Sequence, residues 1–249
     1  MPTKRGLNAY AVLGFVLFFA AWQVVGSLQL AGPSIPAPAA VWAVYAEPWK
    51  LALLARAAVA TLISATVGLG TGCALGIFIA VLAHLLRPLQ RGLDQLSVVV
   101  NAVPAIALGP ILIVTVGRTW TPAALAAIPV FFVIYVSLSS GLRNANPRLL
   151  DAFAVLGASR TARMLHLELP SALPTLLGGL RIAVTAAIVG AIVSEWFGAP
   201  TGLGIVILNT MLNFQIPLMW AAVIAAASLS LCAYGALSLC ESYVRSRFS

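Results

Sequence analysis

Long apolar segments without charge constrain this chain more than any other feature of its sequence. No Asp, Glu, Lys or Arg occurs in residues 6–46, 57–86, 95–117, 119–142 or 196–240, and Arg181 is the only charged residue in 169–194. A helix needs about 20 apolar residues to cross the ~30 Å hydrocarbon core of a bilayer, so each segment is long enough to span it. Charged residues make up 8% of the chain, against about 25% in soluble domains. The sequence therefore predicts an all-α integral membrane protein.

The apolar segments predict six transmembrane helices, near residues 7–28, 57–83, 93–116, 122–142, 174–196 and 218–240. Pro104 should bend the third span, because a proline removes a helical hydrogen bond. As one helix, the segment 196–240 would extend beyond roughly 60 Å, so we expect a short interfacial helix near 204–213 before the last span. Gly68, Gly72 and Gly76 share one face of the second span. This spacing favours close packing of helices inside the chain over a contact between subunits.

We interpret the whole chain, residues 1–249, as one transmembrane domain with an uncleaved first span and a five-helix core at about 57–240. Lys and Arg residues near the span ends give the orientation. Ten of them lie on the side of both termini, namely Lys4, Arg5, Arg87, Arg91, Arg143, Arg148, Arg160, Arg163, Arg245 and Arg247. Three lie on the other side, namely Lys50, Arg56 and Arg118. Both termini and the loop at 146–170 are therefore predicted to be cytoplasmic.

Nucleotide binding and metal binding are unsupported by the sequence. Neither lysine follows a glycine in the pattern G-x-x-x-x-G-K-[ST], so the sequence contains no P-loop. His84 and His166 are the only histidines, and the three cysteines lie in apolar segments without metal-ligand spacing, so we expect no bound metal or cofactor and no catalytic residue. Ser159 lies seven residues before His166, which leaves a serine hydrolase as a remote alternative, since no acid is placed to orient the histidine.

The loop at 146–170 divides into two predicted short helices. Asn146 can cap a helix that begins at Pro147, and Gly157 can end it, because glycine readily adopts the left-handed conformation found past helix ends. Ser159 can cap a second helix, which Pro170 should end. The first helix carries an apolar stripe at helical spacing, formed by Leu149, Leu150, Phe153 and Leu156. Composition alone leaves two interpretations equal, an anchor at the membrane surface and a docking surface for a partner.

The same loop resembles the EAA motif of binding-protein-dependent ABC transporter permeases. That motif reads Glu-Ala-Ala, three residues, Gly, nine residues, Ile-x-Leu-Pro, and residues 151–170 reproduce every spacing, with substitutions at Asp151, Phe153 and Leu167. Further segments are similar to the nitrate, sulfonate and taurine branch of the family, namely 35–38, 157–159, 169–174, 179–183, Glu195 and 202–204. The third span departs from that branch, because residues 101–104 read Asn-Ala-Val-Pro where the branch often has Arg-Pro-Ile-Pro. That departure affects the expected substrate and not the family.

The resemblance implies the fold of a type I ABC importer permease, located in the plasma (inner) membrane of a bacterium. It implies two permease subunits, usually identical, two cytoplasmic ATPase subunits that use ATP and Mg²⁺, and an extracytoplasmic substrate-binding protein. The chain itself would not be an enzyme. Expected substrates are small anions such as sulfonate, taurine or nitrate, or a pyrimidine or aromatic compound. The loop would act as a coupling helix, and the residues implied in its contact with the ATPase are Leu149, Asp151, Ala152, Phe153, Gly157, Ala158, Ser159, Leu167, Leu169 and Pro170.

Three polar residues inside the predicted spans are candidates for the translocation pathway, namely Asn101, Tyr135 and Glu195. A charge at bilayer depth is costly, so Glu195 should face protein or water, either as a pathway residue or as a hydrogen-bonded structural acid. Asn101 and Tyr135 could equally bridge helices. Two competing interpretations of the whole chain remain, a carrier or channel driven by an ion gradient and a membrane scaffold without transport.

Overall fold

The computed structural model describes residues 4–248, with side chains at 10, 12–86, 88–239 and 241. The described residues form helices and no strand. The helices are α1 (Lys4–Ser27), α2 (Pro38–Ala46), α3 (Pro48–Leu85), α4 (Arg87–Ala102), α5 (Ala105–Val116), α6 (Thr121–Arg143), α7 (Pro147–Val155), α8 (Arg160–Arg163), α9 (Leu169–Glu195), α10 (Leu203–Leu212) and α11 (Ile216–Phe248). A 3-10 turn at Gly32–Ser34 precedes α2, and a π-helical turn at Met164–Glu168 joins α8 to α9. Of the charges used for the orientation, five have side chains outside the described residues, namely Lys4, Arg5, Arg87, Arg245 and Arg247.

Within the described residues, four helices are long and apolar enough to cross a membrane. They are α3, α6, the continuous helix Arg160–Glu195 and the part Ile216–Leu239 of α11. The helix pair Pro88–Ala102 and Ala105–Val116 passes the same test as one bent span, and Val12–Ser27 in α1 is a shorter apolar helix. The described helices confirm an all-α fold with four segments long enough to cross a membrane, or five with the bent pair, whereas six spans were predicted.

The third predicted span is broken between α4 and α5, which are bent by 93° relative to each other. Val103 has φ −71° and ψ 122°, an extended conformation, because the ring of Pro104 disfavours the helical conformation in the residue before it. Pro104 also lacks the N–H that would continue the hydrogen bonding of α4. The bend at this proline is as predicted. The predicted third span at 93–116 therefore consists of two helices almost at a right angle.

Small residues bring α3, α6 and α9 close together at the centre of the bundle. A Cβ on Gly72 of α3 would lie 2.6 Å from Val130 Cγ1 of α6, and a Cβ on Gly190 of α9 would lie 2.9 Å from Ala126 Cα. Such close approach gives helices the van der Waals contact that associates them in lipid. The predicted glycine face of the second span therefore packs against α6 within the chain.

The helix α3 runs from α2 to the loop at 146–170, and these positions define a far end and a loop end of the bundle. At the far end, Trp22 Nε1 donates to Pro36 O at 3.0 Å, and its ring lies 5.5 Å from that of Trp220. Tyr45 OH donates to Ala221 O at 2.7 Å. Burial raises the pKa of Tyr45, so its hydroxyl remains a donor. These contacts attach α1 and α2 to α11.

Candidate functional site

The first helix of the loop, α7, begins where the sequence predicts. The Asn146 side chain accepts a hydrogen bond from Arg148 N at 3.0 Å, and Pro147 takes the first helical position. No residue of α7 is buried. The apolar side chains at its C-terminal end face solvent, with Val155 88% and Leu156 81% exposed. Val155 and Leu156 are therefore available for contact with another molecule.

Gly157 makes a sharp elbow directly after α7. Its φ is +68°, in the left-handed region that favours glycine. Gly157 N donates to Ala154 O and Ala158 N donates to Phe153 O, each at 3.0 Å, which are the two bonds of a Schellman helix end. A Cβ at this position would meet no atom within 4 Å. The backbone conformation, and not a lack of space, therefore requires glycine here.

The second helix of the loop does not end at Pro170, contrary to the prediction. It continues without interruption from Arg160 to Glu195 and so becomes the fifth span. In a regular α-helix the Pro170 ring would clash with the carbonyl of His166. The wider π-helical turn at Met164–Glu168 lies close before the proline and accommodates its ring. The hydrogen-bond register shifts at this turn, and the helix continues past Pro170.

Most of the predicted coupling residues are accessible. The exposed ones are Leu149, Asp151, Ala152, Gly157, Ser159 and Pro170, and the half-buried ones are Phe153, Ala158 and Leu169. Leu167 is buried inside the bundle and does not belong to the accessible surface. Ser159 also has a structural role, because its Oγ accepts a hydrogen bond from Ala162 N at 3.2 Å and so caps α8.

The loop also contains a buried acid, Glu168, that the sequence reasoning missed. Glu168 is 3% exposed. Arg163 Nε donates to its Oε1 at 2.9 Å, and His84 Nε2 of α3 lies 2.5 Å from its Oε2. Arg160 Nη2 donates to the His84 carbonyl at 2.9 Å. The only sequence signal was an acid between two leucines, and its partner His84 is 84 residues away along the chain, beyond the reach of any local pattern.

A second buried acid, Glu195, holds α10 at the far end. Glu195 is 0% exposed and accepts from Thr61 Oγ1 at 2.8 Å and from Gly204 N at 2.7 Å. Thr61 Oγ1 accepts in turn from Leu203 N at 2.9 Å. The first N–H groups of a helix have no partner within it, and these contacts satisfy two of them in α10. Gly202 has φ +136°, and a Cβ there would overlap the Glu195 carboxyl group.

The other two pathway candidates lie away from Glu195. Tyr135 is buried near the loop end, and its OH donates to Asp94 Oδ1 at 2.6 Å, which joins α6 to α4. Asn101 is exposed close to the end of α4, before the bend at Pro104. Tyr135 and Glu195 therefore do not line a common site, and each has a partner within the chain.

Comparisons with known proteins agree with these features. The model of a family described as "Binding-protein-dependent transport system inner membrane component" matches residues 72–246. A probable ABC transporter permease protein of Haemophilus influenzae is 32% identical over 235 residues, which cover 92% of this chain and 93% of that protein. The formylaminopyrimidine transport permease protein ThiX of Halalkalibacterium halodurans is 33% identical over 183 residues, 73% of each chain. Other similar permease proteins are named for aliphatic sulfonates, nitrate and taurine.

A solved structure shows the same arrangement of helices. The MetNI methionine ABC transporter in an inward facing conformation matches with a TM-score of 0.69 at 19% sequence identity. The match covers 80% of this chain and 99% of the other chain. At this level of identity, the likeness establishes the fold alone.

Proposed function

Because the chain belongs to the family of binding-protein-dependent transport system inner membrane components, we propose that it forms half of the translocation pathway of an ATP-driven importer and is driven through its loop at 146–170. It is a multi-pass membrane protein with the fold of a type I ABC importer permease. Proteins of this family are transport components and not enzymes, and ATPase activity lies in a separate subunit. The family implies an ATPase and a substrate-binding protein as partners.

One observation carries this proposal, the accessible helix α7 with its glycine elbow. No residue of α7 is fully buried, and only Leu150 and Phe153 are half-buried, so most of its surface is accessible to a partner. Val155 and Leu156 present an apolar tip, and the exposed side chains of Arg148 and Arg160 flank it with positive charge. This surface fits a groove with an apolar floor and an acidic rim on the ATPase.

We place the loop end in the cytoplasm, where the ATPase is, and both termini on the same side. Positive residues concentrate on the cytoplasmic side of membrane proteins. Arg143, Arg148, Arg160 and Arg163 lie at the loop end, against Lys50, Arg56 and Arg118 elsewhere. The membrane would be the plasma (inner) membrane of a bacterium, since the named relatives are bacterial proteins.

The whole chain would act as one permease domain beside a second, identical copy. A two-fold symmetric pair is the commonest assembly of identical subunits, and it presents one loop to each of two ATPase subunits. ATP and Mg²⁺ would bind only in those ATPase subunits, because the sequence contains no P-loop pattern.

The proposed substrate is a small polar compound, either a pyrimidine or a small anion such as a sulfonate, taurine or nitrate. Support for the pyrimidine comes from the relative named for formylaminopyrimidine, which is 33% identical to the chain. Support for an anion comes from the relatives named for aliphatic sulfonates, nitrate and taurine.

Of the three polar candidates, Asn101 is the one we propose for the pathway. Its side chain is exposed beside the bend between α4 and α5, and irregular backbone at membrane depth is tolerated where it lines a cavity or is covered by protein. The contacts of Tyr135 with Asp94 and of Glu195 with Thr61 support bridging roles for these two residues.

The coupling proposal is tested by replacing Gly157 with aspartate. Gly157→Asp introduces a side chain at φ +68° and a negative charge at the elbow, so α7 should be displaced. We expect the amount of partner ATPase that co-purifies with the detergent-solubilised chain to fall about tenfold or more, which corresponds to about 1.4 kcal/mol. Gly92→Asp is the matched control, because it adds the same charge to an exposed helical glycine with open space around it.

Two results would contradict the proposal. The first is a Gly157→Asp chain that still binds the ATPase as well as the Gly92→Asp chain does. The second is an unsubstituted chain that binds no ATPase and whose transport follows an imposed ion gradient, which is the behaviour of a stand-alone carrier.

A further inference from the structure

The two buried acids of the described chain both contact α3, one at its loop end and one about a third of the way along the helix from its start. Glu168 lies against His84 at the loop end, and Glu195 accepts from Thr61 at the far end. These two positions of α3 are separated by about 35 Å at 1.5 Å per residue. Because α3 is one continuous helix of 38 residues, a displacement at one of its ends reaches the other.

The loop has few routes by which it can move the rest of the bundle. No residue of α7 is fully buried, so a displacement of α7 is transmitted mainly through the chain at its two ends. One end leads through residues 144–146 into α6, and the other leads through Gly157 into α8. Among the described side chains, the hydrogen bonds and ion pairs from residues 146–170 to α3 are those of Glu168 and Arg160, and both converge on His84.

The contact with His84 lies at a point where the helix is irregular. Glu168 is the last residue of the π-helical turn that separates α8 from α9. Such turns frequently occur at functional sites, because their wider hydrogen bonding allows the two flanking helices to differ in direction and register. Glu168 therefore links α8 to α3 at this point, next to Leu169, which packs against the cluster that includes Ala80 and Ala83 of α3.

We propose that Glu168 and His84 form a latch that makes α3 move with the loop, so that displacement of α7 reaches the Thr61–Glu195 contact and α10 at the far end. The inference rests on the proposed function, because it takes the ATPase as the source of the displacement. Glu168 is a positioning residue and acts through α3. Separating a buried acid from a hydrogen-bonding partner leaves it unsatisfied, which is unfavourable, so the latched ends move together.

The test uses the full chain in complex with its ATPase, with Cys73, Cys232 and Cys240 replaced by alanine and Thr201→Cys as the reporter. Thr201 is exposed and directly precedes Gly202 at the far end. Its reaction rate with a membrane-impermeant maleimide is measured without nucleotide and after trapping with ATP and vanadate. With the latch intact, we expect trapping to change this rate about fivefold or more, in the range of allosteric coupling.

In the Glu168→Gln chain, trapping should change the maleimide reaction rate of Thr201→Cys by less than about twofold. ATPase binding and ATP hydrolysis should persist. A merely structural role would not remove the response from an assembled, hydrolysing complex. The matched control is Glu47→Gln, since Glu47 is an acid at the other end of α3 and pairs only locally with Lys50 at 2.7 Å. His84→Gln, at the half-buried partner, serves as the second variant if Glu168→Gln does not fold, and combining both changes should add no further loss.

The outcomes separate the latch from the proposed function. A wild-type response in the Glu168→Gln or His84→Gln complex overturns the latch. So does the absence of any response in a complex that has both residues and hydrolyses ATP, and in either case the proposed function stands. If the chain with an intact latch binds no ATPase, the proposed function fails and the latch fails with it.

Discussion

The two buried acids differ in their immediate neighbours. Glu195 is held by a hydroxyl and a backbone N–H, whereas Glu168 is held by Arg163 and His84. A neutral amide can take over the acceptor role of Glu195, but it cannot balance a cationic neighbour. Neutral substitutions should therefore have different consequences at the two positions.

Replacing Glu195 by glutamine and by leucine distinguishes a structural acid from a pathway residue. Glu195→Gln keeps an acceptor for Gly204 N, whereas Glu195→Leu leaves Gly204 N and the Thr61 hydroxyl without this partner. Each buried group left unpaired costs about 1–3 kcal/mol, so the leucine variant should have the lower free energy of unfolding. Thermal unfolding of the detergent-purified chain measures this difference.

Transport by these two variants gives the second part of the test. For a structural acid, uptake should follow the amount of folded protein in both variants. A Glu195→Gln chain that is as stable as wild type but inactive in uptake would instead assign the residue to the pathway.

At the scale of the helices, the glycine face of α3 determines how closely α3 and α6 approach. Gly72 faces Val130 of α6, whereas Gly70 has no atom within 4 Å of a Cβ. Gly72→Leu should therefore lower the free energy of unfolding by about 1–3 kcal/mol through overpacking. Gly70→Leu, two residues away on the open face, should leave stability unchanged or raise it slightly, since leucine has the higher helix propensity.

The measurement is the melting temperature of the purified variants in the same detergent. Equal melting temperatures for Gly70→Leu and Gly72→Leu would contradict the packing of α3 on α6. A loss of stability at Gly70 alone would place the contact on the opposite face of α3.

The helical elements could be predicted because hydropathy and breaking residues are local properties of the sequence. The cap at Asn146, the elbow at Gly157 and the short helix before the last span all follow from such signals. The angle after Pro104 could not be predicted, because a proline gives the position of a bend and its surroundings give the direction. The pairing of His84 with Glu168 was also hidden, since it depends on how α3 and the loop meet in space.

At the scale of the whole molecule, the proposed orientation can be tested with single cysteines at the two ends. Leu156 at the loop end is 81% exposed, and Phe214 between α10 and α11 is 86% exposed. In intact cells lacking a permeability barrier outside the inner membrane, a membrane-impermeant maleimide should label Phe214→Cys. It should label Leu156→Cys only after the membrane is opened. The reverse pattern would show that the loop lies outside the cell.

The exposure of α7 also affects how long the subunit persists in the cell. A chain that has not found its partner displays Val155 and Leu156 to water on a helix without a fully buried residue. Such a segment unfolds locally at little cost, and locally unfolded segments are where proteases cut. Covering α7 would then extend the lifetime of the subunit, so the feature that we propose for coupling would also let the cell remove unassembled copies.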